Sequence, residues 1–130
     1  MKKIDISFFK AIRETPEYCQ KNYGLPVVDG PFFKTYKKNG FLFFIDFFDN
    51  KAVALTFRKI KINKTGISRK LSDNEIHTIL KANGGEINWI LFCDDRLKKI
   101  WYTSDKKLTA CYSKVINTFF LDLHKKGSTS

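Results

Sequence analysis

The spacing of apolar residues divides the chain into a strand-rich first half, one helix and a strand-rich second half. The clearest boundary signals lie in Leu71–Gly85, LSDNEIHTILKANGG. Ser72 is an N-cap residue, and Glu75 three positions on can reach back to its backbone N–H, the two halves of a capping box. Leu71 and Ile76 flank the cap at the spacing of a hydrophobic staple. Ile76, Ile79 and Leu80 form one apolar stripe. Asn83 and Gly84 tolerate positive φ, so the helix is expected to cover about 73–82 and to end there.

Before that helix, 4–14 places Ile4, Phe8 and Ile12 four residues apart and reads as a short helix. Thr15-Pro16-Glu17 starts another, with Thr as cap and Pro at the first turn, running to about Asn22 and stopping at Gly24. Phe32–Lys38 is a strand candidate. Asn39-Gly40 is a hairpin dipeptide suited to a type I′ turn. Phe41–Phe48, FLFFIDFF, is apolar on both sides except at Asp46, which predicts a central strand covered on both faces and a buried, satisfied Asp46. In Ala52–Ile62 the apolar positions change parity, Val53, Leu55 and Phe57 against Ile60 and Ile62, so a β-bulge is expected near Arg58-Lys59.

After the helix, four strands follow as a meander: Ile87–Cys93, Leu97–Thr103, a third with Leu108, Ala110 and Tyr112 alternating, and Val115–His124 with Phe119, Leu121 and Leu123 on one face. The order predicts an α+β fold with a largely antiparallel sheet of six or seven strands, a central capped helix and short N-terminal helices. One twisted sheet and two packed sheets both fit. Residues 1–126 read as a single domain and 127–130 as a mobile tail.

Composition narrows the function classes. Hydrophobic residues make up 43% of the 130, which suits a folded core. No apolar run is long enough to span a bilayer as a helix, and the MKKIDISFFKAI start has no apolar core of signal-peptide type, so a cytoplasmic protein is expected. Cys19, Cys93 and Cys111 are odd in number and irregular in spacing, which predicts reduced thiols. The net charge is +11, carried by 20 Lys and only four Arg. That balance favours loose electrostatic attraction to nucleic acid or an acidic protein over bidentate base readout.

The candidate nucleic-acid-binding residues are Arg58, Lys59, Lys61, Lys64, Arg69 and Lys70, in a stretch free of acids between Asp49 and Asp73, joined by Lys98 and Lys99. Lys59 and Lys61 are expected on one strand face, opposite Ile60 and Ile62. Trp101 and Tyr102, among Arg96, Lys98, Lys99, Lys106 and Lys107, are candidates for base stacking, with core packing as the alternative. Glu75, His77 and Arg96 are the residues from which a toxin-type ribonuclease could be assembled, with a surface histidine as the plainer reading. Asp94-Asp95 reads as a turn. No catalytic set, cofactor motif or metal site is assigned. The function expected is a small basic non-enzymatic binding protein contacting nucleic acid or another polyanion without strong sequence preference. The alternatives are a protein-interaction or structural protein, such as a phage virion component or an inhibitor of an acidic host protein, and a small ribonuclease.

Overall fold

The computed structural model describes residues 9–124. The elements are α1 (Pro16–Tyr23), β1 (Val28–Asp29), β2 (Phe33–Lys38), β3 (Phe41–Phe48), β4 (Lys51–Lys59), α2 (Asp73–Gly84), β5 (Trp89–Asp94), β6 (Lys98–Thr103), β7 (Leu108–Ser113) and β8 (Thr118–Leu123). The strands form one antiparallel sheet of eight in the order β1-β2-β3-β4-β8-β7-β6-β5. Two four-strand meanders are thus joined where β4 pairs with β8, and α2 connects them. Eight strands exceed the expected six or seven because Val28–Asp29 pairs with β2.

Local chemistry accounts for the joints. At Asn39-Gly40 both residues have positive φ, 51° and 87°, as a type I′ turn requires. Asp49-Asn50 repeats the arrangement with φ of 53° and 63°. Thr15 caps α1, and its side chain accepts from the Tyr18 N–H. At α2 both halves of the capping box form: Ser72 Oγ accepts from the Glu75 N–H, and Glu75 Oε1 accepts from the Ser72 N–H at 2.7 Å. A cap of this kind contributes about 1 kcal/mol. Leu71 and Ile76 are both buried beside it.

Register assigns the faces. Phe43, Phe57, Phe119 and Tyr112 lie across from one another on β3, β4, β8 and β7, and Leu55, Leu121, Ala110 and Trp101 form the next row. This inner face packs with Cys19 and Tyr23 of α1 and Ile76, Ile79 and Leu80 of α2 in one core. The Phe57 ring meets those of Phe9, Phe41 and Phe43 at 5.2, 4.9 and 4.7 Å between centroids. The opposite, outer face carries Phe44, Thr56, Phe120, Cys111 and Ile100, all half-buried.

Several expectations are corrected. Residues 9–14 are not an α-helix, and the rest of the 4–14 segment lies outside the described residues. Phe9 and Ile12 are buried as the pattern implied, but Arg13 has φ 70°, and its N–H donates to the Ala52 carbonyl. Asn83 is the reason. Its side chain accepts from the Ala11 and Ile12 N–H groups and donates to the Phe9 and Ile79 carbonyls, taking backbone groups that a helix would use. Asn83 therefore does not end α2. The helix runs through Gly84, and Gly85, with φ 64°, is its C-cap.

β3 is covered on one face only: Phe48 and Asp46 are exposed, so Asp46 is not a buried carboxylate. The register shift lies at the other end of β4 from the expected place. Asp46 pairs with Ala54 and Phe47 with Ala52, leaving Val53 as the extra residue. That bulge brings Ala52 inward beside Leu55 and Phe57. The strand stops at Lys59, so Ile60 and Ile62 are not part of its face, and Ile62 is exposed. β8 likewise starts at Thr118, after a turn that exposes Val115 and Ile116. The segment 127–130 expected as a tail lies outside the described residues.

Candidate polyanion-binding surface

The β4–α2 connection is a built loop. Ile62 bridges Ser68, the Asn63 N–H donates to the Ile67 carbonyl, and the Arg69 N–H donates to the Lys61 carbonyl. Asn63 Oδ1 accepts from the Thr65 N–H, the Thr65 hydroxyl and the Ile67 N–H, an Asx-type turn that holds the tip. Asn117 anchors the base by donating from its side chain to the Ser68 carbonyl at 3.0 Å. Lys61, Lys64, Arg69 and Lys70 project from this frame, all exposed. None of the four has an ion-pair partner among the described residues.

The other predicted cations divide by face. Lys59 points inward and pairs with Glu75 at 3.1 Å. Lys99, on the inner face of β6, lies 3.8 Å from Asp73 and 3.9 Å from Asp94. Lys98, on the outer face, meets Asp95 at 3.3 Å. Arg58 lies over the Phe44 ring, 4.9 Å from its centroid, on the outer face. Arg58 and Lys59 also line a shallow cavity of about 300 Å³ between the loop and the Ile116–Thr118 segment.

Topology gathers more charge at this end than the sequence indicated. The β2–β3 hairpin, the loop after β4, the β5–β6 turn and the β7–β8 turn all open on the same end of the sheet, since Phe41 pairs with Lys59 and Lys98 with Ser113. Lys37, Lys38, Arg96 and Lys114 therefore join the predicted set. Among the described residues the acids there are Asp73, Glu75, Asp94 and Asp95, and they are engaged. Asp94 accepts from Lys114 at 2.8 Å, a bond that holds its carboxyl below the usual range. Asp95 accepts from the Leu97 and Lys98 N–H groups at 2.8 and 2.9 Å, which brings its pKa down to about 2. Lys70, Lys99 and Lys114 surround a further cavity of about 200 Å³ floored by Tyr112 and Leu71. The Tyr112 hydroxyl accepts from the Leu71 N–H and donates to Asn117.

The other candidates are not assembled. Trp101 is 6% exposed and packs in the core beside Phe119, so it offers no stacking face. Tyr102 is half-buried on the outer face against Phe92, 5.9 Å away. Glu75 is committed to the cap and to Lys59, while His77 is exposed on α2 at a different groove. His124 contacts the Thr109 hydroxyl. Among the described residues no group of His, Cys, Asp and Glu could hold a metal ion. Cys19 is buried, and burial pushes its thiol up to about 12, which suppresses the reactive thiolate. Cys93 and Cys111 are free and lie on opposite sides of Ile100, two strands apart. No helix among the described residues is long and apolar enough to cross a membrane.

No family model matches the chain, and no curated protein matches it. Among solved structures, the chain is similar to a cysteine-rich secretory protein from Staphylococcus aureus subsp. aureus Mu50, at 16% identity and a TM-score of 0.44. The similarity covers 88% of this chain and 44% of that one, so the chain spans less than half the length of that protein.

Proposed function

We propose that the protein is a non-enzymatic binding protein that contacts nucleic acid or another polyanion, without strong sequence preference, at the basic end of its sheet. The observation that carries this reading is the segregation of charge. Lys61, Lys64, Arg69 and Lys70 stand on one built loop without ion partners among the described residues, and the turns beside the loop add further cations. Lysine and arginine side chains projecting from a loop neutralise phosphates and release counterions without reading base edges. Lys59 and Lys99 stand behind the contact surface, tied to α2.

Fluorescence anisotropy with labelled single-stranded DNA, duplex DNA and RNA across a salt series tests the reading. Binding is expected to fall steeply with salt and to weaken at least tenfold in K61E/K64E/R69E/K70E. The control K81E/K106E/K107E, at the other end of the sheet, keeps most of the affinity. No binding at low salt, or equal losses in both variants, overturns it. Cleavage of the RNA would favour the ribonuclease alternative.

A further inference from the structure

A second surface lies along β5, away from the basic end. Its centre is a groove of about 740 Å³ between the last turns of α2 and the sheet edge, lined by Leu80, Trp89, Leu91 and Trp101 on its apolar side. These two tryptophans are all the chain contains. The Trp89 indole N–H donates to the Leu80 carbonyl at 2.6 Å, and its ring lies where a side chain on Gly84 would stand. The ring is therefore fixed as one wall of the groove.

Among the described residues no strand pairs with the edge beside the groove. The Asn88 carbonyl accepts from the Ser104 N–H, and Trp89 lies opposite Thr103 and Ile90 opposite Tyr102. In an antiparallel pair the bonded residues alternate, so Asn88 and Ile90 bond to β6, while Trp89 and Leu91 turn their N–H and C=O groups to the free side. The same two residues send their side chains to the inner face, into the groove. Leu91 is 50% exposed. An incoming strand would meet two sets of backbone partners and a pocket for alternate side chains, the geometry of β-strand addition.

Charge selects the occupant. The groove ends at Lys81, and the turn carrying Lys106 and Lys107 follows directly on the Thr103–Trp89 pair. Those three lysines have no ion partner among the described residues, and the nearby Asp105 carboxylate already accepts from the Thr103 hydroxyl and the Lys107 N–H. Among the described residues Glu86 is the acid that lines the groove. A second copy fits poorly. The bulge at Phe92 ends the regular edge after Leu91, and antiparallel self-pairing would bring Glu86 of one copy toward Asp94 and Asp95 of the other.

We infer that the β5 edge and its tryptophan groove bind an extended apolar peptide segment with acidic residues at one end, supplied by a partner protein. The inference stands independently of polyanion binding at the opposite end of the sheet.

The probe is an end-capped synthetic peptide of alternating valine and threonine closed by two aspartates, titrated into the full chain with tryptophan emission as the readout. A saturable blue shift is expected. Binding should weaken at least tenfold in Leu91→Lys and with a peptide N-methylated at alternate residues. It should weaken several-fold with a peptide closed by two lysines, and stay unchanged in K61E/K64E/R69E/K70E. An unaltered far-ultraviolet circular dichroism spectrum establishes that Leu91→Lys is folded, and the N-methylated peptide tests the edge on the unmodified protein. No emission change, or equal binding of the N-methylated peptide, overturns the inference. So does a dimer in light scattering that Leu91→Lys disperses, which would make the occupant a second copy.

Discussion

The two outermost strands of the sheet face the same hazard and meet it differently. Any edge strand presents unpaired backbone groups, and proteins blunt such edges with shortness, proline, charge or a bulge. β1 is two residues long, stands between Pro26 and Pro31, and is flanked by an ion pair between Asp29 and Lys34. β5 is six residues long and has no charge from Trp89 to Cys93, and among the described residues its one protection is the bulge at Phe92. Apolar exposure alone does not separate them, since Phe32 beside β1 is 75% exposed and Phe92 is 70% exposed. The difference lies in backbone groups that a partner can reach and in the groove beside them. An exposed apolar residue on a blunted edge is ordinary surface. The same residue on an open edge with a walled groove is a contact surface.

That contrast can be broken at its supports. Asn83 ties the last turn of α2, and with it the groove wall, to the Phe9–Ile12 segment. Asn83→Ala leaves the buried Ala11 and Ile12 N–H groups without acceptors and should cost about 3 kcal/mol in urea unfolding. A loss under about 1 kcal/mol would mean that the segment finds other partners. Gly84→Ala comes next and has a diagnostic sign. In a free helix position alanine is favoured over glycine by about 1 kcal/mol. Here the added Cβ would sit 2.3 Å from the Trp89 indole nitrogen, so the change should destabilise and should red-shift tryptophan emission as the ring is displaced. Stabilisation with unchanged emission would show that the wall is not fixed.

A smaller, sharper effect concerns the open edge itself. Amide exchange measured by NMR should be slow at Ile90, which bonds to β6, and fast at Trp89 and Leu91. Uniform protection across the three would contradict the register of the edge. The smallest effect is at the β5–β6 turn. Asp95 is held at about 2 by the Leu97 and Lys98 N–H groups. Its folded pKa lies below the unfolded carboxylate value of about 3.9, so its contribution is present above that value and is lost as pH falls toward 2. Asp95→Asn should flatten that part of an acid-unfolding profile and leave neutral-pH binding of the peptide unchanged.

Much of the fold was readable because its signals are local. The capping box at Ser72 and Glu75, the Thr15 cap, the Asn39-Gly40 turn and the alternation of Leu108, Ala110 and Tyr112 each depend on residues a few positions apart. What was not readable depends on distant partners. Asn83 looks like a helix stop until the 9–12 backbone lies against it. The position of the bulge is hidden in the sequence because Ala52 is too small to mark a face, whereas Ile60 and Ile62 look like core residues and are not. For the candidate surface, the acid-free stretch located the loop that carries Lys61, Lys64, Arg69 and Lys70. The sequence could not show that Lys59 and Lys99 turn inward to acids at the start of α2, nor that three other turns open beside the loop. Strand order sets both.

The two proposals together imply a division of binding between the two ends of the molecule. Hydrogen–deuterium exchange by mass spectrometry on the unmodified chain, with a single-stranded oligonucleotide and then with the valine–threonine–aspartate peptide, tests it most directly. The oligonucleotide is expected to protect residues 61–70 and the turn at 94–98, the peptide to protect 88–91, and neither to protect 27–30. Protection of the same segment by both ligands, or of the β1 edge by the peptide, would contradict it.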